Sequence, residues 1–183
     1  MAFDGITIAA MVKELHLNLD GGRFNKIAQP EADELLITGK GANGQCRLLL
    51  SASASLPLIY FTSKNKPSPM TAPNFCMLLR KHIGSARVSD IRQPGMERVV
   101  MFELEHLNEL GDPCKKVLIM ELMGKHSNII FCDDKGMILD SIKHVSSHMS
   151  SVREVLPGRA YTIPATQEDK YNPLTVDSKQ FAD

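Results

Sequence analysis

Glu97 and Arg98 stand where a turn meets a strand, in the stretch Gln93-Pro94-Gly95-Met96-Glu97-Arg98-Val99-Val100-Met101-Phe102-Glu103-Leu104. Proline fixes φ and glycine accepts positive φ, so Pro94-Gly95 predicts the turn, and the β-branched and large apolar residues after it predict the strand. Neighbours in a strand point to opposite faces. The two charges therefore need not be partners: one can pack or pair inside while the other reaches out. A second polar cluster is Glu121-Leu122-Met123-Gly124-Lys125-His126-Ser127-Asn128. A strand ends at Gly124, and Lys125, His126, Ser127 and Asn128 offer donors suited to phosphate, ribose or base edges. A hairpin loop wants the same residues for solvation, and both readings stand. Arg80-Lys81-His82 close a helix, where cations suit the dipole and where they can equally meet phosphate. Asp4 is placed to cap the first helix, or to aim a carboxylate at a ligand.

Other chemistries find no support. His144 and His148 are four apart, a metal-binding spacing on a helix, but this stretch reads as a strand running into a serine-rich loop. There is no nucleophile elbow, no phosphate loop and no dinucleotide fingerprint. Gly39-Lys40-Gly41-Ala42-Asn43-Gly44 resembles a glycine-rich loop only superficially, because it joins two strands and reads as a hairpin. No enzyme, metal or cofactor is expected.

The elements that position these residues come in two copies. Ile27-Ala28-Gln29-Pro30 matches Ile91-Arg92-Gln93-Pro94, 64 residues on, and at that spacing Leu35-Leu36 falls on Val99-Val100. Arg47-Leu48-Leu49-Leu50 then resembles Lys116-Val117-Leu118-Ile119, and Leu58-Ile59-Tyr60-Phe61 resembles Asn128-Ile129-Ile130-Phe131, consistent with a longer hairpin loop in the second copy. In this alignment Asp33-Glu34 falls on Glu97-Arg98, so a base replaces an acid, and that asymmetry singles out Arg98.

Each copy reads as a helix followed by about four strands. The helices are 4–19, with Ile8, Val12, Leu15 and Leu19 on one stripe, and 74–83, with Phe75, Leu78, Leu79 and Ile83 inward. The strands are 23–29, 34–39, 46–52 and 58–62, then 88–93, 98–106, 115–123 and 128–132. A fifth is expected over 137–145 and a helical turn over 150–155. The fold class is α+β: a β-sandwich of two duplicated helix-plus-four-strand units with flanking helices. Residues 1–160 form the domain, and 161–183, polar and with Pro164 and Pro173, form a linker or the start of a following domain.

The 183 residues are 43% hydrophobic, enough to bury a core, and no apolar run approaches membrane-spanning length. The N-terminus has no basic region and no signal-peptide character. The scattered cysteines, 46, 76, 114 and 132, favour reduced thiols in the cytoplasm. Bases and acids balance at 21 each, which argues against nucleic-acid binding by bulk charge alone. Acids outnumber bases beyond residue 160, leaving a slight basic excess in the body.

The opening Met1-Ala2-Phe3-Asp4-Gly5-Ile6, the run Phe75-Cys76-Met77-Leu78-Leu79-Arg80-Lys81-His82-Ile83 and the segment 121–130 resemble the N-terminal domain of the NFACT family. Its bacterial members are called RqcH or fibronectin-binding protein A, and its eukaryotic member NEMF. The resemblance implies a ribosome quality control role: binding tRNA and the large ribosomal subunit that carries a stalled peptidyl-tRNA, and extending the stalled chain at its C-terminus, mainly with alanine. It also implies a fold similar to the N-terminal domain of formamidopyrimidine-DNA glycosylases. Base excision there uses an N-terminal proline followed by glutamate, and Ala2-Phe3 carries neither. The family's Asp-Arg pair falls on Glu97-Arg98, where the arginine matches and the acid is one methylene longer. Glu121, Leu122 and Met123 match a family segment near tRNA, and Asp4 matches a family acid. The resemblance thus implies a tRNA site of Asp4, Glu97, Arg98, Glu121, Leu122, Met123, Lys125, His126 and Asn128. The older family name implies the alternative, a fibronectin-binding adhesin.

Overall fold

In a computed structural model, residues 4–146, 148 and 153–164 are described. Two helices, α1 (Gly5–Leu19) and α2 (Asn74–Ile83), each precede a set of strands. The first set is β1 (Arg23–Glu31), β2 (Glu34–Gly41), β3 (Gly44–Ser51) and β4 (Leu58–Phe61). The second is β5 (Arg87–Arg92), β6 (Val99–Leu107), β7 (Pro113–Glu121), β8 (Asn128–Asp133) and β9 (Ile138–Ser141). Both expected helices and all the expected strands are present, the fifth strand of the second copy shortened to Ile138–Ser141, and the Gly39–Gly44 run is the β2–β3 hairpin, with Gly41 paired to Gly44. Of the expected helical turn over 150–155, residues 150–152 lie outside the described residues. Val155 is extended and bridges Val145.

The α+β class stands. The two strand sets, each preceded by its helix, contribute to one contiguous core and are also hydrogen-bonded to each other. They join edge to edge into one antiparallel sheet of nine strands, in the order β4-β3-β2-β1-β5-β6-β7-β8-β9. The junction is a single residue pair, Arg23 with Arg87. Around it Phe24 N donates to Ala86 O at 2.9 Å and Val88 N to Gly22 O at 2.7 Å. The 64-residue repeat exchanges these two bonds, so the duplication's pseudo-two-fold axis passes between them.

Both helices lie on one face of this sheet and cross the junction. α1 packs on β5, β2 and β6, and α2 on β1 and β6. Each helix thus covers the first strand of the other copy. The α1 stripe Ile8, Val12, Leu15 and Leu19 and the α2 residues Phe75, Cys76, Leu79 and Ile83 enter one contiguous core with Phe24, Leu35, Leu48, Phe102, Leu118 and Phe131. Leu78 is only partly buried, and Cys76 takes the deeper position, its thiol facing Ile27 O at 3.6 Å.

A second, smaller cluster occupies the opposite face of the second set: Val99, Met101, Ile119, Ile130, Cys132 and Ile138, covered by Val155 with Tyr161 beside it. Strands buried on both faces lose their alternation, which is why Val99–Phe102 and Ile129–Cys132 read as continuous apolar runs.

Burial also corrects the internal alignment. Leu35 and Ile37 face the main core, as do Val100 and Phe102, whereas Val99 belongs to the opposite face. Because side chains alternate, Leu35 corresponds to Val100 rather than Val99. The match slips by one residue between β5 and β6, so Arg98 corresponds to Asp33 instead of Glu34. The exchange of an acid for a base survives the correction.

Leu79 is fully buried where α2 meets the shared core, while Met77 on the same helix is half-exposed. Leu79→Ala is expected to cost about 2–5 kcal/mol and Met77→Ala under about 0.5 kcal/mol. Urea unfolding at one temperature compares the two.

Candidate nucleic-acid interface

Three of the sequence-selected segments meet at one end of the second strand set. Glu97 N bonds Pro94 O at 3.1 Å, closing the expected turn, in which Gly95 carries φ 57°. The Gln93 side-chain amide donates to Glu97 O at 2.7 Å and to Gly5 O at 2.9 Å, tying this turn to the start of α1. The approach is so close that a Cβ on Gly5 would lie 2.1 Å from Met96 O. On the other side Leu122 N donates to Arg98 O at 2.9 Å, so the segment after β7 lies alongside Arg98.

Within this rim the side chains differ. Asp4 is exposed and serves as the expected N-cap, its Oδ1 accepting from Thr7 N at 2.7 Å. That hydrogen bond holds its carboxyl below the usual range. Glu97 is half-buried, and desolvation pushes its carboxyl up against the opposing pull of the Arg98 charge. Arg98 makes no ion pair with a described carboxylate, and its Nε is buried with no hydrogen-bond partner among the described residues. Buried polar groups are nearly always satisfied, and an unsatisfied N–H on a cation is costly.

Lys125 and His126 are exposed on a 3-10 turn, Gly124–His126. The turn is built by Gly124 at φ 56°, a conformation that favours glycine, and by Ser127, whose hydroxyl accepts from Met123 N at 2.9 Å. Asn128 is buried. Its Oδ1 accepts from Ile129 N and Lys143 N, and its amide donates to Lys143 O. Leu122 and Met123 are buried too. In this rim Arg98, Lys125 and His126 are the basic groups, while Leu122, Met123 and Asn128 form the frame beneath them.

Glu121 is withdrawn altogether. It is 0% exposed, ion-paired to Arg153 and accepting from the Tyr161 hydroxyl at 2.7 Å. Burial pushes its carboxyl up, and Arg153 and Tyr161 partly offset that shift. Burial next to Glu121 likewise raises the Tyr161 phenol. The carboxylate therefore fastens residues 153–161 across the outer face of the second set, and Tyr161, one residue past the expected boundary at 160, is part of that layer. Sequence reasoning missed Arg153 and Tyr161 because neither lies in a motif and both reach Glu121 from far along the chain.

Among the described residues no nucleophile–base pair converges on this rim. Groups able to gather around a metal ion are His16, Asp20 and Asp90, well away from it and not among the expected site residues. No helix among the described residues is long and apolar enough to cross a membrane. The fold and rim define a duplicated α+β domain with Arg98, Lys125 and His126 at one edge.

The chain belongs to the NFACT family: the family described as NFACT N-terminal and middle domains matches residues 4–183. It is 42% identical to the Rqc2 homolog RqcH of Bacillus subtilis over 177 residues, covering 95% of this chain and 30% of that protein. It is 27% identical to the human ribosome quality control complex subunit NEMF over 151 residues, covering 82% of this chain and 13% of that protein. Among solved structures it superimposes on the N-terminal domain of the fibronectin-binding protein PavA from Streptococcus pneumoniae with a TM-score of 0.90 and 36% identity, covering 99% of this chain and 68% of that one. The chain spans 30–33% of the length of the bacterial relatives from B. subtilis and Streptococcus suis.

Removing one partner of a buried ion pair leaves an uncompensated charge, so Arg153→Ala is expected to cost about 3–5 kcal/mol at neutral pH. Without Arg153 the Glu121 carboxyl rises further above its unfolded value. A raised acid contributes stability below the unfolded pKa and loses it as pH climbs through the folded one. The deficit relative to wild type should therefore be larger at pH 8 than at pH 5 in urea titrations. An equal deficit at both would show that Glu121 ionisation is not involved.

Proposed function

We propose that this chain is the tRNA- and large-ribosomal-subunit-binding module of a cytoplasmic ribosome quality control factor, one that promotes C-terminal alanine tailing of stalled nascent chains. The module itself is not catalytic. Family membership and the names of the relatives support the ribosomal role. The observation that carries the site is the buried Nε of Arg98, without a hydrogen-bond partner among the described residues, on a strand end whose backbone bonds the segment leading to the exposed Lys125 and His126. A guanidinium that lacks an internal acceptor is suited to an external one, and phosphate oxygens match its fork. Glu97 lies within electrostatic reach of Arg98, Asp4 borders the rim, and Leu122, Met123 and Asn128 set the loop's shape. Glu121 contributes from beneath by holding the outer layer.

A second reading is an adhesin module. The PavA structure is described as that of a fibronectin-binding protein, and so is its Streptococcus suis counterpart, described as fibronectin/fibrinogen-binding. Fibronectin offers no matching set of phosphates, so the two readings differ in salt dependence and in the need for Arg98.

Fluorescence anisotropy of labelled tRNA, at two salt concentrations, tests the first reading. Arg98→Ala is expected to weaken binding by about tenfold, as for loss of one charge-assisted contact worth roughly 1.5 kcal/mol. Added salt should weaken binding by the wild type, with a slightly steeper slope than for the variant. Equal affinities at both salts would remove Arg98 from the site, and saturable fibronectin binding without tRNA binding would favour the adhesin.

A further inference from the structure

The chain's formal charge is zero, yet one concavity is far from neutral. A cleft of about 1070 Å³ opens between the C-terminal end of α2, the first half of β1 and the β6–β7 hairpin. Arg23, Lys26, Lys66, Arg80, Lys81 and Arg87 line it, and Glu105 is the one acid of the lining. Some of this charge is paired. Lys66 meets Glu34 at 2.6 Å, Arg87 meets Glu105 at 3.0 Å, and Lys81 approaches Glu109 at 3.8 Å with both side chains exposed. Exposed pairs of that kind contribute little.

Arg23, Lys26 and Arg80 have no carboxylate partner among the described residues. Two of them are nonetheless held in place. Arg80 Nε donates to Ile27 O at 2.7 Å, and Arg23 Nη1 donates to Ser85 O at 3.2 Å. Each arginine is anchored through one N–H on a backbone carbonyl, which leaves the rest of its fork for an anion. His82 and His106 add no fixed charge, since burial holds both below the usual histidine range.

We propose that this cleft binds the phosphate backbone of a structured RNA, at a surface separate from the Arg98 rim. It rests on the reading above that the chain's ligand is RNA. The cations are spread over α2, β1, β5 and the connection before α2, a track rather than a point, and a concave basic wall concentrates field lines. The lining holds no Phe or Tyr, and its two aromatic rings, His82 and His106, pack against each other, with His82 also on Phe131. Contact is therefore with phosphates and sugars and is insensitive to sequence. The two surfaces sit at opposite ends of β6: Arg98 precedes Val99, and the cleft reaches Glu105 to Leu107. Six residues of strand, Val99 to Leu104, lie between Arg98 and Glu105, a separation of roughly 23 Å, so the domain touches RNA at two places along β6.

Lys26 and Lys81 are exposed and belong to neither the core nor the Arg98 rim, so Lys26→Gln/Lys81→Gln should fold like wild type, with an unchanged Tm. The probe is a fluorescently labelled RNA hairpin with a long paired stem, read by anisotropy across a salt series for wild type, the double variant and Arg98→Ala. The double variant is expected to bind at least tenfold more weakly at low salt. The slope of log K against log salt should shallow by about 1.4–1.8, at about 0.7–0.9 per lost phosphate contact. If the double variant matches wild type in affinity and slope while Arg98→Ala is weakened, the cleft proposal falls and the Arg98 reading stands. If tripolyphosphate displaces the hairpin at equal total phosphate, the cleft is a small-anion site and the proposal also falls. If wild type binds neither tRNA nor hairpin, both readings fall together.

Discussion

Two backbone hydrogen bonds at the centre of the sheet, Phe24 N to Ala86 O and Val88 N to Gly22 O, set the geometry of everything else. They fix the register of β1 against β5, and from there each antiparallel ladder runs outward in mirrored order. Bonds of this kind contribute only about 1 kcal/mol each. The junction holds because the helices are exchanged across it, α1 lying over β5 and α2 over β1. The main core draws on both repeats, so the duplicated halves fold as one unit.

That exchange also builds the basic rim. α1 reaches the second copy, and its N-terminal turn is stitched to Gln93 and Met96. Asp4, the residue before Gly5, thereby comes close to the turn that precedes Arg98. The corresponding end of the first copy has no such arrangement: Asp33 stands where the second copy has Arg98. Duplication supplied two similar ends, and a change of charge at one position distinguishes them.

Much of this was legible in the sequence. Amphipathic spacing located both helices, turn residues bounded the strands, and the repeated Ile-x-Gln-Pro phrase exposed the duplication. What failed was non-local. Leu35-Leu36 and Val99-Val100 are apolar pairs in which either member could face inward, so pattern alone could not detect the one-residue slip that burial reveals. The hydrogen bonding between the two strand sets depends on a single pair of exposed arginines, Arg23 and Arg87, which carry no signature of pairing. Arg98 and Lys125-His126 were visible as polar groups at turns. Glu121 read as the polar edge of the same loop, because the arginine and tyrosine that cover it lie 32 and 40 residues away.

An open sheet has two outer margins, each able to recruit a foreign strand and seed aggregation. This one leaves little to recruit. At one margin β4 is only four residues long and follows Pro57, which has no N–H to offer. At the other, the segment held by Glu121 folds back along β9: Ile138 N donates to Arg159 O, Gly158 N donates to Ile138 O, and Met137 bridges Ala160. The buried carboxylate thus acts at a distance as a stopper. By fixing where the returning segment lies, it closes a margin that would otherwise leave the domain prone to sticking to copies of itself.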